Sequence, residues 1–190
     1  MAAFTGLRGG GTSRASTMSP GSAKVPSITF REATPDDAAG IAEVRSASAE
    51  ALTAKFGRGP WSSHTTQRGV LSAMRHSKIV VALDGTALVG VLRLATRKPW
   101  AIDTSYFTPC QRPIYLTDMA VLPDLQRRGI GRLLLQEAGH IARAWAGDAL
   151  RLDAHDAEAG AGAFYLRCGF EERGHASYRG TPLVYFQQRL

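Results

Sequence analysis

The chain has 190 residues, 44% of them hydrophobic, and a formal charge of +7. This size and apolar content suit one globular unit with a sizeable core. Scattered basic residues, with no Lys/Arg run and no aromatic RNA-binding signature, argue against nucleic acid as the partner, and no apolar run approaches the ~20 residues of a membrane span.

Residues 1–27 are rich in Gly, Ser, Ala and Arg and contain no acidic residue, so they read as a disordered tail. Such a start also fits a transit peptide, but it lacks an amphipathic stretch, and Met18 offers a second start. The domain is expected over 28–190. A first strand is expected at 25–31, followed by a helix opened by Thr34-Pro35-Asp36-Asp37 and running to about residue 52. Gly57, Gly59, Pro60 and Trp61 mark a loop, after which Ser63 is a candidate cap for a second helix over 64–75. Asp84-Gly85 between apolar runs predicts a hairpin of strands 78–83 and 86–95. Residues 96–112 read as an irregular connection carrying Trp100, Asp103, Tyr106 and Phe107, and long connections of this kind often carry function.

Next comes a strand through Ile114, Leu116, Met119, Ala120 and Val121, broken by Pro123 and Asp124. From Ile130 the apolar residues change to helical spacing at Leu133, Leu134, Ala138, Ile141, Ala142 and Trp145. A helix that starts at Gly129 presents unpaired backbone N–H groups, and with its dipole they form an anion site. Gly129 and Gly131 remove side chains from the approach, and Arg127, Arg128 and Arg132 add positive charge. The turn therefore predicts a diphosphate cradle. A dinucleotide fingerprint would place glycine at 134, which is leucine, and no Gly-Lys-Ser/Thr follows to make a nucleoside-triphosphate loop. A strand at 149–154, a helix at 158–168 stopped by Gly169, and a strand-like ending at 183–188 complete the order β, α, α, β, β, β, α, β, α, β, β.

The string Gln126-Arg127-Arg128-Gly129-Ile130-Gly131 resembles the Q/R-x-x-G-x-G/A signature of the GNAT superfamily of N-acetyltransferases. A second match, AGAFYLRCGF at 161–170, is similar to the family's A-x-x-F/L-Y-x-x-x-G-F helix. The resemblance spans 28–190. It implies an α/β (α+β) GNAT fold, with a mixed, mostly antiparallel central sheet of about six to seven strands flanked by about four helices. It also implies acetyl-CoA as cosubstrate, with its pyrophosphate at Gln126 to Arg132 and its pantetheine arm on the backbone of Met119, Ala120 and Val121. The main-chain N–H near Met119 would polarise the thioester carbonyl.

By the same resemblance Phe164 contacts the cofactor and Tyr165 protonates the departing thiolate, a task a phenol of pKa ~10 suits. The family's asparagine before this helix is replaced by Glu158, leaving Asp156 or Glu158 to meet the pantetheine. Gly160 and Gly162 suggest close approach of the cofactor. The base positions of the family fall on Tyr115 and Thr117, and neither is a good base. Strict alternation turns Asp118 to the opposite face, but a bulge would re-aim it, so Asp118 is a candidate base beside Asp103, Asp153, His155 and Asp156. Trp61 and Trp100 either line an acceptor pocket with Tyr106 and Phe107 or plug the open side of the sheet.

His64, His76, His140 and His175 show no metal-ligand spacing, so no metal is expected. Cys110 and Cys168 fit neither a metal site nor a disulfide scaffold, and a reducing cytoplasm is the expected compartment. The implied reaction is direct attack of a primary amine on acetyl-CoA in a ternary complex. The acceptor is a small molecule or peptide, with acids near the mouth favouring a cationic amine, and family members often form homodimers. The alternative is a non-catalytic acyl-CoA-binding sensor or scaffold.

Overall fold

The computed structural model describes residues 27–190, so the tail expected over 1–27 lies outside them except for Ser27. Seven strands form one sheet in the order β1-β2-β3-β4-β5-β7-β6. They are β1 (Ile28–Glu32), β2 (Lys78–Asp84), β3 (Ala87–Ala95), β4 (Pro113–Val121), β5 (Ala149–His155), β6 (Glu171–Tyr178) and β7 (Thr181–Arg189). Every neighbouring pair is antiparallel except β4 and β5. The four α-helices among the described residues are α1 (Ala38–Phe56), α2 (Gln67–Met74), α3 (Ile130–Ala144) and α4 (Gly162–Arg167). The order of elements agrees with the sequence reading, although that reading gives β6 no residues, and the architecture is the expected GNAT fold.

Both faces of the sheet are covered, which explains why β2 reads as an unbroken apolar run rather than an alternating one. Val80 and Ala82 pack with Leu134, Leu135 and Ala138 of α3, whereas Ile79 and Val81 pack with Ile41 and Val44 of α1 and Val70 of α2. On the same side as α1, beyond the middle of the sheet, the 96–112 connection lays Ile102 and Phe107 over Tyr115, Leu183 and Tyr185. Between these two apolar clusters the sheet carries polar residues.

Several boundaries differ from expectation for identifiable reasons. Helix α1 continues to Phe56 because Gly57, at φ 79°, is the first residue to leave the helix. Helix α2 begins at Gln67 because Thr66, not Ser63, is its cap, its hydroxyl accepting from the Gly69 N–H at 3.1 Å. Helix α4 is six residues long and excludes 158–161, where the chain turns through a Gly160 N–H to Ala157 carbonyl bond of 2.8 Å. Among the described residues no helix is long and apolar enough to cross a membrane.

Candidate active site

Two irregularities in β4 create the site. The parallel ladder to β5 holds only Pro113, Ile114 and Tyr115 against Ala149, Leu150 and Arg151. Beyond it the strands part, β4 staying with β3 and β5 with β7. Among the described residues the backbone of 116–121 therefore has no ladder partner on its β5 side, which leaves it free for the pantetheine arm that the resemblance placed there. Opposite β3, Ala120 pairs with Val91 but Thr117 pairs with Arg93, so Asp118 and Met119 together face Leu92. This is a β-bulge, and Asp118 sits in it at φ 54°, a conformation Asp tolerates better than most residues.

A cavity of about 370 Å³ opens at the parting. Thr117, Asp118 and Met119 of β4 form one wall and Asp153 and His155 of β5 the other; Tyr165 of α4, Arg45 of α1 and Trp61 complete it. Trp61 stands edge-on to His155, with ring centroids 5.7 Å apart.

The bulge turns Asp118 toward the cavity, and arginines occupy both of its oxygens. Arg45 donates an Nη2 hydrogen bond to Oδ1 at 2.6 Å, and Arg93 Nε lies 2.8 Å from Oδ2 while also donating to the Thr117 hydroxyl at 2.9 Å. Burial pushes the Arg45 guanidinium down from its ordinary value, and the Asp118 charge opposes that shift. Among the described residues Asp153 has no such counter-ion. Burial pushes its carboxyl up, partly offset by its own backbone hydrogen bond and by His155, while the Asp118 charge adds to the rise. A carboxyl so placed is a stronger proton acceptor than an ordinary aspartate. Tyr165 is only 8% exposed; burial first, and then the Asp153 charge, push its phenol well above the ordinary range, so it stays protonated.

Just past the C-terminal end of β4 the signature turn has two kinds of glycine. Gly129 takes φ 87° at the N-terminus of α3, with nothing within 4 Å of where a Cβ would be. No side chain caps α3, and its first intrahelical bond is Leu133 N–H to the Gly129 carbonyl at 3.1 Å. The N–H groups ahead of Leu133 thus have no acceptor within the helix. Gly131, in contrast, would place a Cβ 3.2 Å from the Phe164 ring and 3.4 Å from Met119 Cε, so its glycine admits the packing of α4 against α3. Arg127 has φ 63°, and Gln126 donates from Nε2 to the Val121 carbonyl at 3.1 Å, tying the turn to the strand end. Ile130 is buried, Val121 packs against the same core, and Ala120 packs on the α1 side while also lining the cavity. Arg128 is exposed, while Arg132 reaches the Arg167 carbonyl at 3.4 Å.

Other expected residues lie elsewhere. Asp156 is bonded to His175 Nδ1 at 2.7 Å and does not line the cavity, and Glu158 is exposed. Asp103 accepts from the Ser105 N–H and hydroxyl within a turn. Tyr115 is buried, Phe107 plugs the sheet against Tyr185, and Trp100 is 84% exposed, which leaves Trp61 as the aromatic of that group at the cavity. Gly160 and Gly162 are glycines for packing: a Cβ would lie 1.9 Å from the His155 carbonyl oxygen and 3.2 Å from the Phe186 ring, respectively. Cys168 caps α4, and burial pushes its thiol up, the opposite of an activated nucleophile. Among the described residues no cluster of His, Cys, Asp and Glu could hold a metal.

Sequence reasoning missed Arg45 and Arg93. Each was visible as a cation on an inward face, Arg93 inside the apolar run of β3 and Arg45 directly after Val44 of α1. A charge in such a place implies a buried partner.

A family model described as "Acetyltransferase (GNAT) family" matches residues 43–170. The chain belongs to that family of acetyl-CoA-dependent acyltransferases. No curated protein matches its sequence significantly. Solved structures share the fold. PaiA N-acetyltransferase from Thermoplasma acidophilum, in complex with coenzyme A, is 18% identical with a TM-score of 0.66, over 86% of this chain and 99% of the other. The ribosomal-protein-alanine N-acetyltransferase from Brucella melitensis is 20% identical with a TM-score of 0.65, over 85% and 99%. YncA from Salmonella typhimurium, with its cofactor acetyl-CoA, is 17% identical with a TM-score of 0.62, over 86% and 94%.

Proposed function

We propose that the chain transfers the acetyl group of acetyl-CoA to a primary amine by direct attack in a ternary complex. The observation that carries this reading is the cavity at the β4–β5 parting, which brings Met119, Asp153 and Tyr165 around one space. The residues present fit acetyl-CoA. Gly129 leaves the first turn of α3 open to a diphosphate, and the unpartnered β4 backbone offers the pantetheine arm a strand edge. The coenzyme supplies an acetyl group activated as a thioester.

We assign the backbone N–H near Met119 to the thioester carbonyl oxygen, where negative charge develops. Asp153 takes the first proton from the incoming ammonium, which frees the nitrogen lone pair. Tyr165 donates to the departing sulfur. A thiol, near pKa 8.5, is a stronger acid than this buried phenol, so transfer to sulfur keeps step with the return to Tyr165 of the second proton that nitrogen sheds. The protons balance, one leaving through Asp153 and one ending on sulfur. Asp118, held by two guanidiniums, is an anchor here rather than the base, and no step requires a covalent enzyme intermediate.

Tyr165→Phe tests the reading. Acetyl-CoA affinity is expected to stay within about twofold while kcat falls roughly 10²-fold or more. Unchanged kcat would remove Tyr165 from the chemistry, and unchanged binding with no turnover by the parent chain toward any amine would favour a sensor.

A further inference from the structure

The polar part of the cavity has a charge pattern that specifies more than an amine. Arg45 and Arg93 converge on one carboxylate, Asp118, so this cluster carries one positive charge in excess. Arg45 has five N–H donors, and among the described residues one of them is used, in the bond to Asp118. Its side chain is 28% exposed and lines the cavity. A guanidinium withdrawn from water with most of its donors unspent is a site for an anion. Asp153 lines the same cavity, pairs with no arginine among the described residues, and presents the opposite sign.

We propose that the acceptor is a zwitterion, a primary amine that also bears a carboxylate, whose ammonium is received at Asp153 and whose carboxylate is received by the free donors of Arg45. This rests on the acetyltransferase reading above and names its substrate class. A polyamine would set a second cation against Arg45 and Arg93, where like charges repel. A phosphate dianion would overshoot a single excess charge. The acids near the mouth, which in the sequence suggested a cationic acceptor, are thus largely neutralised: Asp118 is spent on arginines, and Asp153 alone faces the amine. With about 370 Å³ available, and part of it needed by the acetyl end of the donor, the acceptor is small.

The test uses acceptor pairs that differ only in the carboxylate: L-tyrosine and tyramine, L-tryptophan and tryptamine, L-lysine and cadaverine. The remaining common amino acids, β-alanine and γ-aminobutyrate are screened alongside. Thiol release from acetyl-CoA is followed, and acetyl-CoA binding by calorimetry serves as the control for folding. The carboxylate-bearing member of a used pair is expected to have the higher kcat/KM by roughly 10- to 100-fold. Arg45→Met is expected to erase that preference through KM while acetyl-CoA affinity holds. Should Arg45→Met fail to fold, Arg45→Lys, which keeps the charge but not the planar fork, is expected to show a partial loss of the same preference. Equal use of both members, or preference for the carboxylate-free amine, overturns the zwitterion and leaves acetyl transfer standing. Acetyl-CoA binding without turnover of any amine overturns both readings.

Discussion

Replacing Asp118 by asparagine separates an anchor from a base. Asparagine tolerates the left-handed conformation at φ 54° about as well as aspartate, so the backbone is not perturbed and the change is electrostatic. The carboxylate accepts one charge-assisted hydrogen bond from Arg45 at 2.6 Å and makes an ion-pair contact with Arg93 at 2.8 Å. A buried bond of the first kind contributes about 1.5–3 kcal/mol, but these side chains are a quarter to a third exposed, which reduces each contact to about 1 kcal/mol. Without the carboxylate the two guanidiniums repel by about another 1 kcal/mol. The sum is a loss of about 2–3 kcal/mol, or roughly 4–12 °C in Tm for a domain of this size. The assays are urea denaturation and acetyl transfer, the latter expected to lose less than about tenfold in kcat, whereas removal of a general base costs roughly 10²–10⁴-fold. Unchanged stability with turnover abolished would refute the anchor and restore Asp118 as the base.

For Asp153 the pH profile is the diagnostic. The base must be ionised to act, and burial raises its carboxyl. Activity should therefore fall as pH drops through a value above the ordinary aspartate pKa of about 3.9. Asp153→Asn is expected to remove that acidic limb and to lower kcat roughly 10²–10⁴-fold; a limb that survives the substitution would move the base elsewhere, His155 being next along β5. Gly160→Ala should destabilise the fold by at least about 1–3 kcal/mol in urea, because the new Cβ would lie 1.9 Å from the His155 carbonyl oxygen and backbone cannot swing aside. A stable Gly160→Ala protein with weakened acetyl-CoA binding would instead mean that the glycine exists for the cofactor.

What the sequence revealed was local. The change from strand period to helix period across Gly129, the Asp84-Gly85 hairpin turn and the Tyr165 helix are each written within about ten residues, and all appear in the structure. Features set by distant partners were not legible. The bulge at Asp118 and Met119 depends on the register against Val91 and Arg93, and the two arginines on Asp118 arrive from α1 and β3, 73 and 25 residues away in sequence. Glycines were ambiguous for the same reason: Gly129 faces open space, whereas Gly131 and Gly160 face Phe164 and His155, and composition does not distinguish them. The start of α2 slipped because serine is by type at least as good a cap as threonine, whereas in the structure it is Thr66 that accepts from the Gly69 N–H.

Acetyl-CoA binding to the chain and to Gly129→Asp, by calorimetry, tests the central claim most directly. Aspartate accepts φ 87° at less cost than most side chains and meets no neighbouring atom there, so the variant should fold, which its Tm would confirm. It places a carboxylate where the N-terminus of α3 would hold a diphosphate. The parent chain is predicted to bind one acetyl-CoA per chain, and the folded variant to bind at least about 100-fold more weakly. No binding by the parent, or equal binding by both proteins, would contradict the account.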